Sequence, residues 1–345
     1  MAGHLRTALR TCNPPEGVMP KGLAKWAVIT RACVFSMTLS SGIIALLLAL
    51  LTDNPINWGA WALATVGIIL AHAANNIMND LLDLQGGVDT ADYPRALYAP
   101  HPVLSGWVSK RGLITAAVIV NLLGIAVGLT LTFWIGMPIL WFALAGFALS
   151  FFYTGPPFRL KRIGLGEPTV LLVWGPLMIG GTFYATTGTL SWPVVLASIP
   201  YGITVTSVLM GKHLDKYEFD KPKGVHTLPV VLGYDRAKAV TMGMWVVSLI
   251  AIAVLVVQGL LSWIVLALSL LAIPRLTKVW RTYRAPKPDS PPDERFKPTW
   301  PLYYVSLAFD YNKLAGQMFI AGLLVNVALL KIVPDAAGWV NLFPR

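Results

Sequence analysis

Nine runs of apolar residues divide the chain, at 28–51, 58–79, 112–134, 137–153, 168–187, 193–211, 238–257, 260–280 and 313–333. Each is close to the roughly 20 residues that an α-helix needs to cross a hydrocarbon core. Several contain Gly or Pro, which spanning helices tolerate where neighbours re-satisfy the backbone. The pattern predicts an all-α, polytopic membrane bundle of about nine transmembrane helices. Residues 1–27 read as a cytoplasmic tail, 28–334 as a single transmembrane domain and 335–345 as a C-terminal tail. The stretch 281–311 is basic and Pro-rich, and reads as an irregular cytoplasmic loop near anionic headgroups.

Two runs carry a polar stripe. Along the second, His72, Asn76, Asn79 or Asp80, and Asp83 recur at steps of three or four, which puts them on one helix face. Along the sixth, Thr204, Ser207, Gly211 and Asp215 do the same. Such faces turn toward a bundle interior rather than lipid. Interhelical hydrogen bonds suffice for Thr204, Ser207 and His72, but not for the acids. Each striped helix is followed by a similar loop: D83-x3-G87-x2-T90 and, 137 residues further on, D220-x3-G224-x2-T227. This predicts an internal repeat with the site at the interface of its two copies.

Composition sharpens this picture. The 345 residues are 56% hydrophobic and only 12% charged, against about 25% charged in soluble domains, and mean hydropathy is +0.64. A formal charge of +11 raises the question of nucleic acid, but its distribution answers it. All but two of the 27 Lys and Arg lie in the N-terminal segment or in the regions that follow runs two, four, six and eight. The alternate loops 52–57, 135–136, 188–192 and 258–259 hold none. That is the positive-inside pattern. It implies a multi-pass protein of a prokaryotic plasma membrane, with a cytoplasmic N-terminus, an outside C-terminus and no nucleic-acid partner. Cys12 and Cys33, one in the tail and one in the first run, suggest neither a disulfide framework nor a metal site.

Chemistry concentrates on the cytoplasmic side. A carboxylate near the bilayer centre costs about 3 kcal/mol, and a helix C-terminus already presents negative charge. Acids gathered there call for a compensating cation. Mg²⁺ takes oxygen ligands, usually one or two carboxylates with waters and substrate phosphate. The candidate ligands are Asn79, Asp80, Asp83 and Asp89 in the first cluster, with Asp215 and Asp220 in the second. Arg95, Arg159, Lys161 and Lys212 complete a clamp suited to a diphosphate. Asn76 continues the polar face toward the same substrate. If an isoprenoid tail occupies the apolar bundle, loss of diphosphate leaves an allylic cation that Tyr153 or Trp174 would stabilise. Asp80, Asp83 and Asp220 are the expected catalytic carboxylates. Glu167 and Asp310 read as residues at helix starts.

The string N79-D80-x2-D83-x3-G87-x-D89 resembles the first Asp-rich motif of the UbiA superfamily of intramembrane prenyltransferases. Gly87 with Asp89, the stretch Y153-T-G-P-P-F-R-L-K161-R-I-G-L-G-E167 and G175-P-L-x3-G181-T-x-Y184 are similar to the branch that prenylates dihydroxynaphthoate in menaquinone biosynthesis. The resemblance covers about 28–333. It implies Mg²⁺-dependent transfer of a polyprenyl group from its diphosphate to an aromatic acceptor such as a dihydroxynaphthoate or a hydroxybenzoate. It also places Asn79, Asp80, Asp83 and Asp89 in the metal–diphosphate motif and Lys161 on phosphate. The second motif departs from the family's D-x3-D pattern: Gly224 and Thr227-Leu228 align Asp220 with the second Asp, so Lys216 falls on the first. Asp215 and Glu218 flank it. Either the helix ends before Asp220, or Lys216 replaces a metal and grips phosphate. A cyclase of the same superfamily acting on geranylgeranyl diphosphate is the alternative, and a cation transporter a more distant one.

Overall fold

The computed structural model describes residues 2–15 and 17–332; the segment assigned above to a C-terminal tail lies outside them. Among the described residues the chain is helical, with a single isolated bridge between Ile163 and His226 and no strand. The helices are α1 (Ala2–Thr11), α2 (Gly22–Ile29), α3 (Phe35–Leu50), α4 (Trp58–Gln85), α5 (Pro94–Tyr98), α6 (Lys110–Ile135) and α7 (Pro138–Thr154). Then come α8 (Gly166–Leu172), a π-helical stretch (Val173–Gly180), α9 (Gly181–Thr187), α10 (Trp192–Asp215), α11 (Tyr217–Asp220) and α12 (Leu228–Leu232). Helices α13 (Tyr234–Val257), α14 (Trp263–Leu270), α15 (Ile273–Arg284) and α16 (Tyr304–Ile332) follow.

Each predicted apolar run falls mainly on helix. Among the described residues, seven spans are long and apolar enough to cross a membrane, and α14 with α15, bent by 48°, make an eighth if taken as one. Helix α7, at 17 residues, is shorter. Local signals set the ends. The Asn57 side chain accepts from the Ala60 amide at 3.0 Å to start α4, and Ser109 accepts from the Gly112 amide at 3.0 Å to start α6, as N-caps do. Pro opens α5, α7 and α10, where its missing N–H removes no helical bond.

The first predicted run is not one helix. It breaks between Ile29 and Phe35, with Arg31 in a left-handed conformation at φ 55°. That turn aims Arg31 inward, where it pairs with Asp80. The tail ahead of it is also ordered. Helix α1 packs on α2, with Ala8, Val28 and Ile29 buried together. Cys12 and Cys33, unpaired in the sequence reading, form a disulfide with Cα atoms 5.3 Å apart. The chain folds back over a sequence separation of 21, a return that spacing alone does not announce.

Helix α10 is the central element, packed against α13, α16 and the π-helical stretch. Pro176 inside that stretch lacks the N–H for a regular α-helical bond, consistent with the local widening. Gly175 and Gly202 let the two backbones approach: a Cβ on Gly202 would stand 3.2 Å from the Gly175 Cα. The outer helices present apolar side chains outward, among them Ile119, Leu122 and Phe133 on α6 and Ile250 and Val257 on α13. An exposed apolar surface of that extent is what a bilayer covers.

The predicted repeat has a physical counterpart at the two loop turns. At the end of α4, the Val88 amide donates to the Asp83 carbonyl at 2.9 Å and the Gly87 amide to the Leu84 carbonyl at 3.3 Å. At the equivalent positions, the Val225 amide donates to the Asp220 carbonyl at 3.0 Å and the Gly224 amide to the Lys221 carbonyl at 3.3 Å. Gly87 and Gly224 have φ +69° and +65°. Both are therefore Schellman-type ends, closed by a left-handed glycine. The following residues, Val88 and Val225, pack with Tyr93 in one buried cluster, so the two loops meet.

Candidate active site

Where the loops meet, a polar pocket is lined by Arg31, Asn79, Asp83, Asp89, Arg95, Tyr98, Tyr153, Lys161, Lys212, His213 and Lys216. Most of the residues singled out in the sequence therefore converge. Asp80, one position from Asn79, stands behind the wall. Arg95 holds it bidentately, Nε to Oδ1 at 2.9 Å and Nη2 to Oδ2 at 2.7 Å, and Arg31 pairs with it as well. Burial works against the Arg95 charge, but Asp80 more than offsets it and holds the guanidinium above its usual range. On α4's last turn, Asp83 pairs with Lys161 and lies 3.9 Å from Arg162. The side-chain oxygen of Asn79 accepts from Thr154.

The second loop contributes differently. Helix α10 breaks at Lys216 (φ −103°, ψ 0°) and resumes as α11 to Asp220. Lys216 Nζ lies 4.3 Å from the centre of the Tyr93 ring, and Tyr93 donates its hydroxyl to Asp220. Burial alone would lower the Lys216 ammonium, but Tyr93, Asp220 and Asp89 hold it well above its usual range. Lys223 cross-braces the loops, donating to the Val88 carbonyl at 2.8 Å and to Thr90 Oγ1 at 2.7 Å.

Five expected residues do not line the pocket: Asp80 and Asp220 stand behind its wall, on Arg95 and Tyr93, and three others lie elsewhere. Asp215 points the other way, accepting from the Tyr304 and Val305 amides at 3.0 and 2.9 Å and from Lys287 Nζ at 2.9 Å. It caps the start of α16 across the bundle, with a lysine from the 281–311 loop as counter-ion. Arg159 is exposed, in a left-handed turn (φ 47°). Asn76 donates to the Thr30 carbonyl at 2.8 Å, satisfying the break before α3, and lines the apolar cavity below. Asp215→Ala should accordingly lower stability by about 2 kcal/mol through loss of a cap and a buried ion pair, read as a lower Tm in detergent. Its divalent-metal dependence should match that of the wild type.

Four contributors escaped the sequence reading. Arg31 counts in the sequence only among the basic residues of the N-terminal segment, and Tyr93 lies in a loop without periodicity. His101, twelve residues past Asp89, carries no spacing signal; its Nε2 is 3.5 Å from Asp89 Oδ2. His213 pairs through Nδ1 with Glu167 Oε1 at 2.6 Å, both buried. Glu167 does sit in the first turn of α8 as expected, and it also reaches across to α10.

The donor set on the first-loop side suits a divalent cation. Asp80, Asp89 and His101 each offer a ligand atom within 4.8 Å of the others. Asp83 Oδ1, Asp89 Oδ1 and His101 Nε2 are buried without a hydrogen-bond partner, a condition that a metal or ligand relieves. Burial penalises the Asp89 charge, yet His101 and Lys216 hold its carboxyl below the usual range, so it is ionised and ready to ligate.

Through Arg31, Asn79, Tyr98, Tyr153 and Lys212 the polar pocket joins an apolar cavity of about 730 Å³. Its walls include Met37, Ile68, Phe142, Trp174, Met178 and Val208, and it reaches Ala64, Leu131 and Ile139. Ala64 is 15 residues before Asn79 on α4, roughly 22 Å at 1.5 Å per residue. A polar head and a long greasy tail would each find a matching surface.

Comparison with known proteins agrees with this geometry. Over 160 residues the chain is 31% identical to a 2-carboxy-1,4-naphthoquinone phytyltransferase of Synechocystis sp., covering 46% of this chain and 50% of that protein. It is 25% identical over 210 residues to a 1,4-dihydroxy-2-naphthoate octaprenyltransferase of Bacillus subtilis, covering 59% of this chain and 64% of the relative. The matched region thus spans about half the length of the first relative and somewhat more of the second. The fold is shared with a UbiA homologue from Aeropyrum pernix K1 (TM-score 0.61, 18% identity, 85% of this chain and 98% of that one). It is also shared with one from Archaeoglobus fulgidus solved with GPP and Mg²⁺ (TM-score 0.59, 15% identity, 88% and 99%). Residues 38–299 match the UbiA prenyltransferase family, and the chain, an all-helical integral membrane protein, belongs to it.

Proposed function

We propose that the protein transfers a polyprenyl group from its diphosphate to an aromatic acceptor, releasing diphosphate, with Mg²⁺ as the metal. One observation carries the reading: a pocket rich in Lys, Arg and Asp opens directly into a long apolar cavity. Lys161, Lys212, Lys216 and Arg95 would bind the diphosphate, and Asp83 and Asp89, the two pocket carboxylates with an oxygen free of hydrogen bonds, would hold the metal; Asp80, grouped with Asp89 and His101, is engaged by Arg31 and Arg95 and positions them. When bound, the metal neutralises charge on the departing diphosphate. The protein's own buried cations, Arg95, Lys161 and Lys216, do the same from fixed positions.

The allylic C–O bond breaks and its electron pair leaves with diphosphate. Tyr153 and Trp174, both lining the cavity, offer ring faces to the resulting cation. A carbon of the electron-rich acceptor ring then attacks, and the ring loses a proton. His213, held by Glu167 on the pocket wall, is placed to take it. Acceptors of naphthoate type are the first choice, because both relatives named above act on such rings. In this reading the chemistry occurs at the cytoplasmic face of a prokaryotic plasma membrane, and the positive-inside bias of the loops supports that orientation.

The far end of the cavity is lined by Leu131, Ile139 and Ala185, a poor path for an ion and a good one for an isoprenoid. Purified protein in detergent should be given geranylgeranyl diphosphate and Mg²⁺ with a panel of naphthoate and benzoate acceptors. The expected product is a prenylated ring with stoichiometric diphosphate. A cyclic hydrocarbon or alcohol formed without acceptor would assign a cyclase instead, and failure to release diphosphate would remove both.

A further inference from the structure

The two acid loops, alike in backbone, differ in charge. On the first side, buried carboxylate oxygens of Asp83 and Asp89 stand without hydrogen-bond partners. On the second, Asp215 is turned away to cap α16, Asp220 accepts the Tyr93 hydroxyl, and Lys216 occupies the pocket wall between them. A metal ion seated against Asp220 would face the Lys216 ammonium, a like charge in a buried setting.

Charge balance points the same way. The pocket is lined by five cations, Arg31, Arg95, Lys161, Lys212 and Lys216, and by the carboxylates of Asp83 and Asp89. Behind the wall, Asp80 and Asp220 add two acids and Arg162, 3.9 Å from Asp83, adds a cation. The site is therefore net positive before any ligand arrives. A fully ionised diphosphate monoester with one divalent ion already brings it close to neutrality, and each further metal ion adds positive charge that no nearby acid offsets.

We propose that Lys216 takes the place of one metal ion, so that diphosphate is held between a single divalent cation on the Asp83–Asp89 side and the Lys216 ammonium opposite. The inference rests on the prenyl-diphosphate reading above. It also gives the break at Lys216 a purpose: the chain turns there so that a lysine, and not Asp215, faces the pocket.

The test counts ions. The full-length protein in detergent is titrated with Mn²⁺ in the presence of geranylgeranyl S-thiolodiphosphate, an analogue that resists ionisation, and free Mn²⁺ is followed by electron paramagnetic resonance. The wild type should bind one Mn²⁺ per chain with the analogue. It should also retain measurable analogue binding in EDTA, and Lys216→Ala should weaken that metal-free binding by about tenfold or more. Lys216→Asp should restore a second Mn²⁺. Two or more ions in the wild type would overturn the inference while leaving the prenyl-diphosphate reading intact. No analogue binding, with or without Mn²⁺, would overturn that reading itself. Because the wild-type count decides the matter alone, poor folding of either variant leaves the test standing.

Discussion

Asp83→Asn is expected to slow diphosphate release by about 10³-fold while leaving the Tm within a few degrees of the wild type. The aspartate ends α4 with one oxygen paired to Lys161 and the other buried without a hydrogen-bond partner. Asparagine keeps the shape and still accepts from Lys161, but it removes the charge that a metal and the clamp around it require. Removing a single preorganised electrostatic group from an active site costs on the order of 10²–10³ in rate, and loss of a metal ligand adds to that. Alanine would be the less informative change. It strands Lys161, a buried cation, and breaking a buried pair costs about 3–5 kcal/mol of stability. Released diphosphate, measured by a coupled phosphatase assay beside thermal unfolding in detergent, separates the two effects. Asp83→Asn turnover near that of the wild type would take Asp83 out of the metal–diphosphate clamp.

The parts of this site legible in the sequence are those set by local rules. An apolar run of spanning length is a helix wherever it lies, and the positive-inside bias is a property of loops counted one at a time. The paired D-x3-G-x2-T loops also declare themselves, because a Schellman end needs a left-handed glycine at a fixed distance from the last turn. Asp83, Asp89, Lys161 and Lys212 follow from those rules and do line the pocket.

What the sequence hides is where a helix turns at a single residue and what crosses the bundle to meet it. Asp215 and Lys216 are adjacent, and nothing local tells which faces the substrate. The answer depends on α16 arriving with two free amides that Asp215 caps. Arg31 depends on a break inside an apolar run. His101 and Tyr93 depend on how the loop after α4 folds over itself. The Cys12–Cys33 bond likewise depends on α1 returning to the mouth of the cavity, which both cysteines line. In each case the decisive contact depends on where the chain returns on itself, and no local spacing rule announces it.

The length of prenyl chain accepted should be set by residues of the cavity whose enlargement meets no protein atom. Gly146 on α7 is one: it lines the cavity, and a Cβ built on it would find nothing within 4 Å. It lies seven residues before Tyr153, roughly 10 Å down the wall at 1.5 Å per residue. Gly146→Trp therefore puts bulk where the middle of a long tail would run, without forcing the α7 backbone to move. Long-chain substrates such as geranylgeranyl diphosphate should lose turnover on the order of 100-fold, the scale on which shape exclusion in an apolar pocket discriminates. Dimethylallyl diphosphate, whose tail ends above the obstruction, should keep most of its rate, since the diphosphate clamp is untouched. Competition between the two substrates at fixed Mg²⁺ reads the ratio directly. If both fell together, the substitution would have damaged the polar pocket or the fold; if neither changed, the isoprenoid does not run along α7. A selective loss of the long substrate would join the apolar cavity to the charged pocket as one binding site, the physical condition on which prenyl transfer at this place depends.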